Sequence, residues 1–394
     1  MDTNDKQFVN VLFDIDGVML SEERYFDGSA LTVYEILRSP QYLSLSHPEL
    51  PVFRTGFDDA EIANIRKVTF ANDTVFETVK KRGVNANWDM VYLQVAYHLA
   101  SLVRHLYETG HVDLVKSIFH LAQDAGWTGK VISSLGKMHR ELGEAFTPDF
   151  ASFNEAMNDC HNKADLFAKV DTKLALTARQ VVADGEFVSF EKERALWLFC
   201  QRTFQEWYLG DDYVKDTHQP GKRGFLTEEV PLVEPKALKQ LFVDLKAAGV
   251  SLGIATGRPG TETRVPLEFF GWLEEFEMSR ITTASDVLNT ELAIPSAAPL
   301  AKPNPFSYLR SYLSSPDASE VLNYPLPIDA SVGERTLIVG DSVADLLAAR
   351  AMGCKFAAVL TGLEGQRART QFEERGADYI LDDASGVRDV VLPG

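Results

Sequence analysis

Two acidic residues close to the amino terminus, Asp14 and Asp16, are the first side chains of the sequence with clear chemical potential. They directly follow FVNVLF, an apolar and β-branched run at residues 8–13 that predicts a buried strand. Side chains at i and i+2 of a strand point to the same face, and Gly17 allows the chain to turn immediately afterwards. The pattern predicts two carboxylates in one pocket, although an acidic turn without a chemical role explains an isolated DxDG equally well.

Further polar residues follow two other predicted strands and the loop between them. Strand-like runs at residues 250–255 and 336–339 each lead into a polar turn. The polar residues are Thr256, Gly257, Lys302, Asp341 and Asp345. Taken one at a time they have ordinary explanations, such as a turn, a solvated lysine, or a helix N-cap at Asp341. Because the carboxyl ends of parallel strands meet at one edge of a sheet, their joint placement favours a single phosphate site.

Four motifs in chain order resemble those of the haloacid dehalogenase superfamily. They read LFDIDGV, IATGR, AKPNP and IVGDSVAD, and together they contain all of the polar residues named above. One such motif alone is weak, whereas the ordered set is specific. The resemblance covers residues 1–21 and about 232–394, and it points to the phosphoglycolate phosphatase and β-phosphoglucomutase branch with an enlarged helical cap.

The resemblance implies covalent phosphoryl transfer at the first motif. Asp14 would attack phosphorus and form an aspartyl-phosphate, which divides one difficult displacement into two easier ones. Asp16 would protonate the leaving oxygen and later accept a proton from the attacking water. Mg²⁺ would be held by Asp14, by Asp16 through its backbone carbonyl, and by Asp341. Because members that cleave carbon–halogen bonds typically lack the second acid, Asp16 argues against a dehalogenase.

The remaining motif residues are implied to bind the phosphoryl group. Thr256 and Gly257 would contact phosphoryl oxygens, and Lys302 would neutralise charge on both the phosphate and Asp14. Asp345 would order a metal-bound water or Lys302. Mg²⁺ would also reduce the repulsion between the clustered carboxylates and a phosphate dianion.

The character of the sequence changes after the first motif. Residues 22–231 hold segments such as DMVYLQVAYHLASLVRHLYE and ERALWLFCQRTFQEWYLG, in which apolar side chains recur at helical spacing. After residue 235 helices and strands alternate, which predicts a parallel, doubly wound sheet. We therefore expect an α/β core formed by residues 1–21 and 232–394. A helical domain of residues 22–231 is inserted after the first strand, and the resemblance implies that it is a cap that closes over the site.

The elements of the core can be predicted individually from periodicity and from glycine and proline positions. Helices are expected at residues 236–248, around 265–276, from about 303, and at 343–352. Further strands are expected at residues 280–283, 355–360 and 377–381, and a loop rich in proline and serine at 314–332.

Lys222 and Arg223 are the cap residues that we single out as candidates for substrate binding. They lie in a glycine-flanked loop, GKRG, near the return to the core. Two cations there would suit an anionic group of the substrate. A solvated loop without a binding role explains the same residues more simply.

Composition limits the classes of partner. The chain has 394 residues, of which 45% are hydrophobic and 24% charged, as in ordinary globular proteins with more than one core. The formal net charge of −18 makes the average surface repel nucleic acid and anionic lipid. A local basic pocket for a small phosphorylated metabolite is compatible with that charge.

The cysteines and the amino terminus favour a cytoplasmic protein. The three cysteines are widely spaced and show no zinc-ligand spacing, so reduced core residues are expected. The first ten residues are polar and lack the apolar segment of a secretory signal. The apolar stretch at residues 91–107 is interrupted by charged and polar side chains and is shorter than the roughly 20 residues that cross a bilayer.

Three functions are compatible with these motifs. A Mg²⁺-dependent phosphatase for a small phosphorylated metabolite is favoured. A sugar phosphomutase uses the same catalytic residues, and a binding protein that keeps the fold without catalysis is the third alternative. Neither the oligomeric state nor the substrate follows from the sequence.

Overall fold

A computed structural model describes residues 8–84, 86–183 and 186–392 of the chain. The chain divides into two compact units, one formed by Met1–Glu23 with Leu226–Gly394 and the other by Arg24–Phe225. We call the first the core and the second the inserted unit. The predicted fold class, an α/β core with a helical segment inserted after the first strand, is confirmed.

The core is built on a sheet of six parallel strands in the order β3-β2-β1-β4-β5-β6. The strands are β1 (Asn10–Phe13), β2 (Ser251–Ala255), β3 (Ile281–Thr282), β4 (Thr336–Gly340), β5 (Lys355–Val359) and β6 (Tyr379–Leu381). β1 is central, and its Asn10 is in register with Ser251 of β2 and with Thr336 of β4. Residues on both faces of β1 are buried, which explains why its sequence is apolar throughout rather than alternating.

The inserted unit is helical in the part of it that the structure describes. Its helices are α1 (Glu23–Arg38), α2 (Asp59–Thr69), α3 (Thr74–Lys80), α4 (Asn87–Glu108), α5 (Val112–Ala125), α6 (Gly129–Leu142), α7 (Ser152–Ala156), α8 (Lys163–Val181) and α9 (Ala195–Leu209), with a 3₁₀ turn at Lys192–Arg194. The long helix α4 packs against α8 and α9. Aromatic stacking contributes to this core, as between Tyr25 and Tyr208, whose ring centroids lie 4.3 Å apart.

Nine further helices belong to the described part of the core. They are α10 (Pro235–Ala247), α11 (Gly260–Phe269), α12 (Ala284–Ala293), α13 (Phe306–Leu313), α14 (Ala318–Leu322), α15 (Ala330–Gly333), α16 (Val343–Met352), α17 (Arg369–Glu374) and α18 (Val387–Val391). Short 3₁₀ turns lie at Leu273–Glu275, Met278–Arg280, Pro295–Ala297, Gly365–Ala368 and Ala384–Gly386. None of the helices in the described residues is both long and apolar enough to cross a membrane.

Two of the predicted core elements are wrong in detail. The helix expected around residues 265–276 is instead α11, which begins at Gly260 and tolerates Pro266 in its interior. The predicted loop at residues 314–332 contains α14 and α15, each capped by an aspartate, Asp317 and Asp329. Such caps satisfy backbone N–H groups and stabilise short helices that apolar periodicity does not reveal.

The two chain connections to the inserted unit are paired on the core. Residues 19–21, on the way out, lie beside residues 230–232, on the way back. Leu20 and Pro231 form an antiparallel bridge. Backbone hydrogen bonds of 2.8 and 2.9 Å flank that bridge. The insertion therefore leaves and rejoins the core at one place.

Candidate active site

Three of the predicted site residues lie at the carboxyl ends of the three central strands. Asp14 follows β1, and its backbone N–H donates to the Val339 carbonyl of β4 at 2.9 Å. Thr256 follows β2 and Asp341 follows β4. Because β2, β1 and β4 are neighbours in the sheet, these residues share one edge, where ligands of doubly wound sheets bind.

The Lys302 ammonium lies between two carboxylates, those of Asp14 and Asp345. Its Nζ lies 2.8 Å from Asp14 Oδ2 and 2.8 Å from Asp345 Oδ1. Burial disfavours the charged form of Lys302, but the two carboxylates outweigh burial, so the pKa of this lysine is raised. Lys302 is therefore a fixed positive charge beside Asp14, as the predicted role requires.

Asp345 is held by the start of α16 and by Tyr308. Ser342 is the N-cap of α16, and its hydroxyl donates to Asp345 Oδ2 at 2.6 Å. The Tyr308 hydroxyl donates to Asp345 Oδ1 at 2.9 Å. Since Ser342 caps the helix, the alternative reading of Asp341 as the N-cap is wrong, and the Asp341 carboxylate is not used for that purpose.

Three carboxylates form a group that suits a divalent cation. Asp14, Asp341 and Asp345 each offer an oxygen, and these oxygens lie within 4.8 Å of one another. Burial raises the pKa of Asp14 to about 7, which Lys302 partly opposes. Burial, Asp345 and Asp14 together raise the pKa of Asp341 well above its usual range. Three carboxylates against one ammonium leave an excess of two negative charges when all are ionised, and an all-oxygen donor set of that charge fits a hard divalent cation. We call Asp14, Asp341, Asp345 and Lys302 the catalytic cluster.

Two glycines make room for the Asp341 carboxylate. A Cβ on Gly17 would lie 2.1 Å from Asp341 Oδ2, and a Cβ on Gly362 would lie at the same distance. Gly17 also has φ of +71°, a conformation that other residues rarely adopt. The Thr361 hydroxyl donates to the Gly17 carbonyl at 2.6 Å and so ties the two glycine segments together. The sequence motifs indicated Gly17 but gave no signal for Gly362.

The Asp16 side chain lies outside the three-carboxylate group and contacts Arg258 instead. Arg258 Nε and Nη2 donate to Asp16 Oδ1 at 2.8 and 2.6 Å. On its other side, Arg258 Nη1 donates to Glu229 Oε1 at 2.6 Å. Arg258 immediately follows the predicted phosphate-binding pair, but sequence reasoning gave it no role and did not identify Glu229.

Thr256 and Gly257 differ in their surroundings. The Thr256 hydroxyl is buried and accepts a hydrogen bond from the Arg258 backbone N–H at 3.1 Å. Because its oxygen accepts from the backbone, the hydroxyl proton is available for a second partner. Gly257 is exposed, and a Cβ placed on it would meet no atom within 4 Å.

The two substrate candidates of the inserted unit have different environments. Lys222 is fully buried, and its Nζ lies 2.7 Å from a carboxylate oxygen of both Glu35 and Glu206. We call these three residues the buried triad. The interpretation of Lys222 as a solvated loop residue is therefore wrong. Arg223 is partly exposed and pairs with Asp59 on α2.

Comparison with known proteins identifies relatives of the chain. A family model described as HAD-hydrolase-like matches residues 299–387. An X-ray structure from the Northeast Structural Genomics Consortium shares 35% sequence identity over 97% of each chain, with a TM-score of 0.82. No curated protein matches the chain.

Two more distant structures are similar at lower scores. A HAD-superfamily hydrolase of subfamily IA from Geobacter sulfurreducens PCA shares 14% identity over 99% of this chain and 100% of its own, with a TM-score of 0.40. A predicted phosphoglycolate phosphatase from Haemophilus somnus 129PT shares 14% identity over 98% and 99%, with a TM-score of 0.38. Similarities this weak carry no argument about substrate.

Proposed function

Given that the chain belongs to the haloacid dehalogenase superfamily of hydrolases, we propose that it is a Mg²⁺-dependent phosphatase that acts on a small phosphorylated metabolite through an aspartyl-phosphate. The observation that carries the proposal is the position of Lys302, with its ammonium 2.8 Å from both Asp14 and Asp345. This contact places a permanent positive charge beside the proposed nucleophile, where the charge of a phosphate must be neutralised.

Asp14 and Asp16 divide the covalent chemistry between them. An Asp14 oxygen bonds to phosphorus as the bond from phosphorus to the leaving oxygen breaks, and Asp16 gives that oxygen a proton. Water then attacks the aspartyl-phosphate while Asp16 accepts a proton from it, and the bond from phosphorus to Asp14 breaks. Phosphate leaves and both aspartates return to their first state.

Thr256, Gly257 and Lys302 bind the transferred group. The Thr256 hydroxyl, with its oxygen already held by the Arg258 N–H, donates its proton to a phosphoryl oxygen. The open space beside Gly257 admits the phosphoryl group to the strand ends. Asp345 keeps Lys302 in place through their ion pair.

Asp14, Asp341 and the backbone carbonyl of Asp16 would hold Mg²⁺. When bound, the ion supplies positive charge that lets a phosphate dianion approach clustered carboxylates. Gly17 and Gly362 leave the space that the Asp341 carboxylate occupies, so a larger side chain at either position would displace this ligand.

The inserted unit is proposed to act as a cap that excludes water and selects the substrate. Its boundaries in the structure, Arg24–Phe225, are close to the predicted residues 22–231. Within it, Arg223 remains our candidate for contact with an anionic group of the substrate because it is partly exposed. Lys222 is a poorer candidate, since two buried carboxylates already occupy its ammonium.

A screen of phosphate release from a panel of phosphorylated metabolites tests the proposal. The full chain with Mg²⁺ should release phosphate from at least one small phosphomonoester, and Asp14→Asn should abolish the release. Formation of an isomeric sugar phosphate in place of phosphate would identify a phosphomutase. Absence of turnover on the whole panel, with substrate binding retained, would favour the non-catalytic alternative.

A further inference from the structure

Arg258 contacts the proposed general acid through one oxygen only. Both of its hydrogen bonds to Asp16, from Nε and from Nη2, reach Oδ1. The second oxygen, Oδ2, takes no part in this pair. A guanidinium that grips one oxygen with two donors fixes the plane of the carboxylate and makes its two oxygens different.

Glu229 fixes Arg258 in turn. The guanidinium is only 1% exposed, and the Glu229 side chain is fully buried. Nη1 donates to Glu229 Oε1 at 2.6 Å, and Nη2 approaches Glu229 Oε2 at 3.5 Å. A buried cation needs such partners, and a planar guanidinium held between two carboxylates has little freedom to move.

The position of Glu229 in the chain links this pair to the return from the inserted unit. Glu229 directly precedes Val230, which accepts a hydrogen bond from the Ser21 N–H at 2.8 Å. The segment that returns from the inserted unit is thus hydrogen-bonded to the segment that follows Asp16. The backbone of Arg258 also contacts the Thr256 hydroxyl, so one residue orders both a phosphate ligand and the acid.

We propose that Arg258, braced by Glu229, is a positioning residue that reserves Asp16 Oδ2 for proton transfer. The proposal rests on the phosphatase function proposed above. In the first step the proton leaves Oδ2 for the leaving oxygen, which keeps the electron pair of its broken bond to phosphorus. In the second step Oδ2 takes a proton from water as the water oxygen bonds to phosphorus.

This role predicts a dependence on the leaving group. An alkoxide leaving group needs a proton in the transition state, whereas 4-nitrophenolate leaves without one. Loss of the positioning contact should therefore slow the first step much more with alkyl phosphates than with 4-nitrophenyl phosphate, whereas the attack of water on the aspartyl-phosphate is the same for both. The value of kcat/KM, which covers the steps up to the aspartyl-phosphate, measures this difference. A role in stability alone would slow both substrates alike, because it would change the fraction of folded enzyme.

The main test uses Arg258→Lys, which keeps the positive charge but loses the planar guanidinium and its paired N–H donors. Its kcat/KM on the best alkyl phosphate of the panel should fall by about 100-fold, within the range of general-acid catalysis. Its kcat/KM on 4-nitrophenyl phosphate should fall by less than about 10-fold, because the first step with this substrate needs no proton from Asp16. Glu229→Gln should show the same pattern to a smaller extent, and it provides the test if Arg258→Lys does not fold.

Two controls separate positioning from structure. Arg310→Lys changes another largely buried arginine of the core, which pairs with Asp286 at 3.2 Å, and should leave the ratio of the two kcat/KM values unchanged. In an Asp16→Ala background, Arg258→Lys should have little further effect on that ratio, because the group it positions is gone.

If the folded variants lose activity equally on the two substrates, the ratio of their rates is unchanged and the positioning role is wrong. The phosphatase proposal would still stand. A wild-type protein that hydrolyses neither substrate nor any member of the panel would overturn both proposals. The two failures are therefore distinguishable from the wild-type measurement alone.

Discussion

Each of the two units contains a lysine that lies between two carboxylates, but only one of these arrangements is suited to chemistry. In the catalytic cluster the ammonium is 2.8 Å from each partner, and in the buried triad it is 2.7 Å from each. Distances alone therefore do not distinguish them. The comparison shows that two other properties do, namely charge balance and access.

The catalytic cluster has a surplus of carboxylate and some exposure. Asp341 adds a third acid to the pair that Lys302 bridges, and the side chains of Lys302 and Asp14 are 15% and 11% exposed. In the buried triad all three side chains are 0% exposed. His218 Nδ1 lies 2.6 Å from Glu206 there and supplies a further partner. We propose that the first arrangement accepts a cation and a substrate, whereas the three side chains of the second are closed to solvent.

Removal of divalent metal should produce the largest difference between the two arrangements. A chelator should abolish phosphate release, because the excess negative charge of the catalytic cluster would then repel the substrate. Mg²⁺ should restore the activity, and it should raise the unfolding free energy by about 2–3 kcal/mol at 100 times its Kd. Calorimetry and kinetics with a graded addition of Mg²⁺ measure both effects. Full activity after exhaustive chelation would contradict the metal assignment.

Lys302→Met should be the next largest change in activity. It removes the positive charge next to Asp14 and is expected to lower kcat by about 10²–10³-fold, as for loss of a single electrostatic donor. The measurement is kcat at saturating Mg²⁺, with circular dichroism to show that the variant is folded. A folded variant with kcat near that of the wild type would remove the observation on which the proposed function depends.

Lys222→Met should affect stability rather than chemistry. It leaves two buried carboxylates without their ammonium, which is expected to cost about 3–5 kcal/mol of unfolding free energy. Urea denaturation measures the loss, while kcat of the fraction that remains folded should be unchanged. Adding Glu35→Gln to Lys222→Met should recover part of the stability, because the Glu35 carboxylate that the single variant leaves without its ammonium is then absent. If the double variant were no more stable than the single one, charge pairing would not be the reason for the triad.

Arg223→Ala should have the smallest effect of these variants, and it tests whether Arg223 contacts the substrate. Arg223 and Asp59 are 41% and 61% exposed, so loss of their ion pair should cost less than about 1 kcal/mol of unfolding free energy. If Arg223 grips the substrate, KM should rise by about 10-fold, which corresponds to roughly 1.4 kcal/mol of binding. Arg54→Ala removes another exposed arginine of the inserted unit, which pairs with Glu61, and serves as the control. An unchanged KM would exclude the contact.

The sequence predicted the strand ends well because their signals are local. Asp14, Thr256 and Asp341 each follow an apolar run directly, and a parallel sheet brings such ends to one edge. The helix at residues 343–352 was predicted with its correct bounds, since Gly353 ends it in a left-handed conformation.

What the sequence did not reveal depends on contacts between distant residues. Arg258 meets Asp16 across 242 positions and Glu229 across 29, and no local pattern marks an arginine as buried. For the same reason the polar residues around Lys222 suggested a solvated loop. In the folded chain Lys222 is instead buried against Glu35 and Glu206, which lie on two different helices. Ion pairs of this kind are properties of the folded chain and have no signature in periodicity.

The pairing of residues 19–21 with residues 230–232 also bears on how the chain folds. Strand β1 must find β2 across 241 positions, from Asn10 to Ser251, and closing so long a loop costs conformational entropy that grows with the logarithm of its length. An inserted unit that has already folded fixes most of that loop before the strands meet. We expect the insertion to fold early and the central sheet to assemble afterwards.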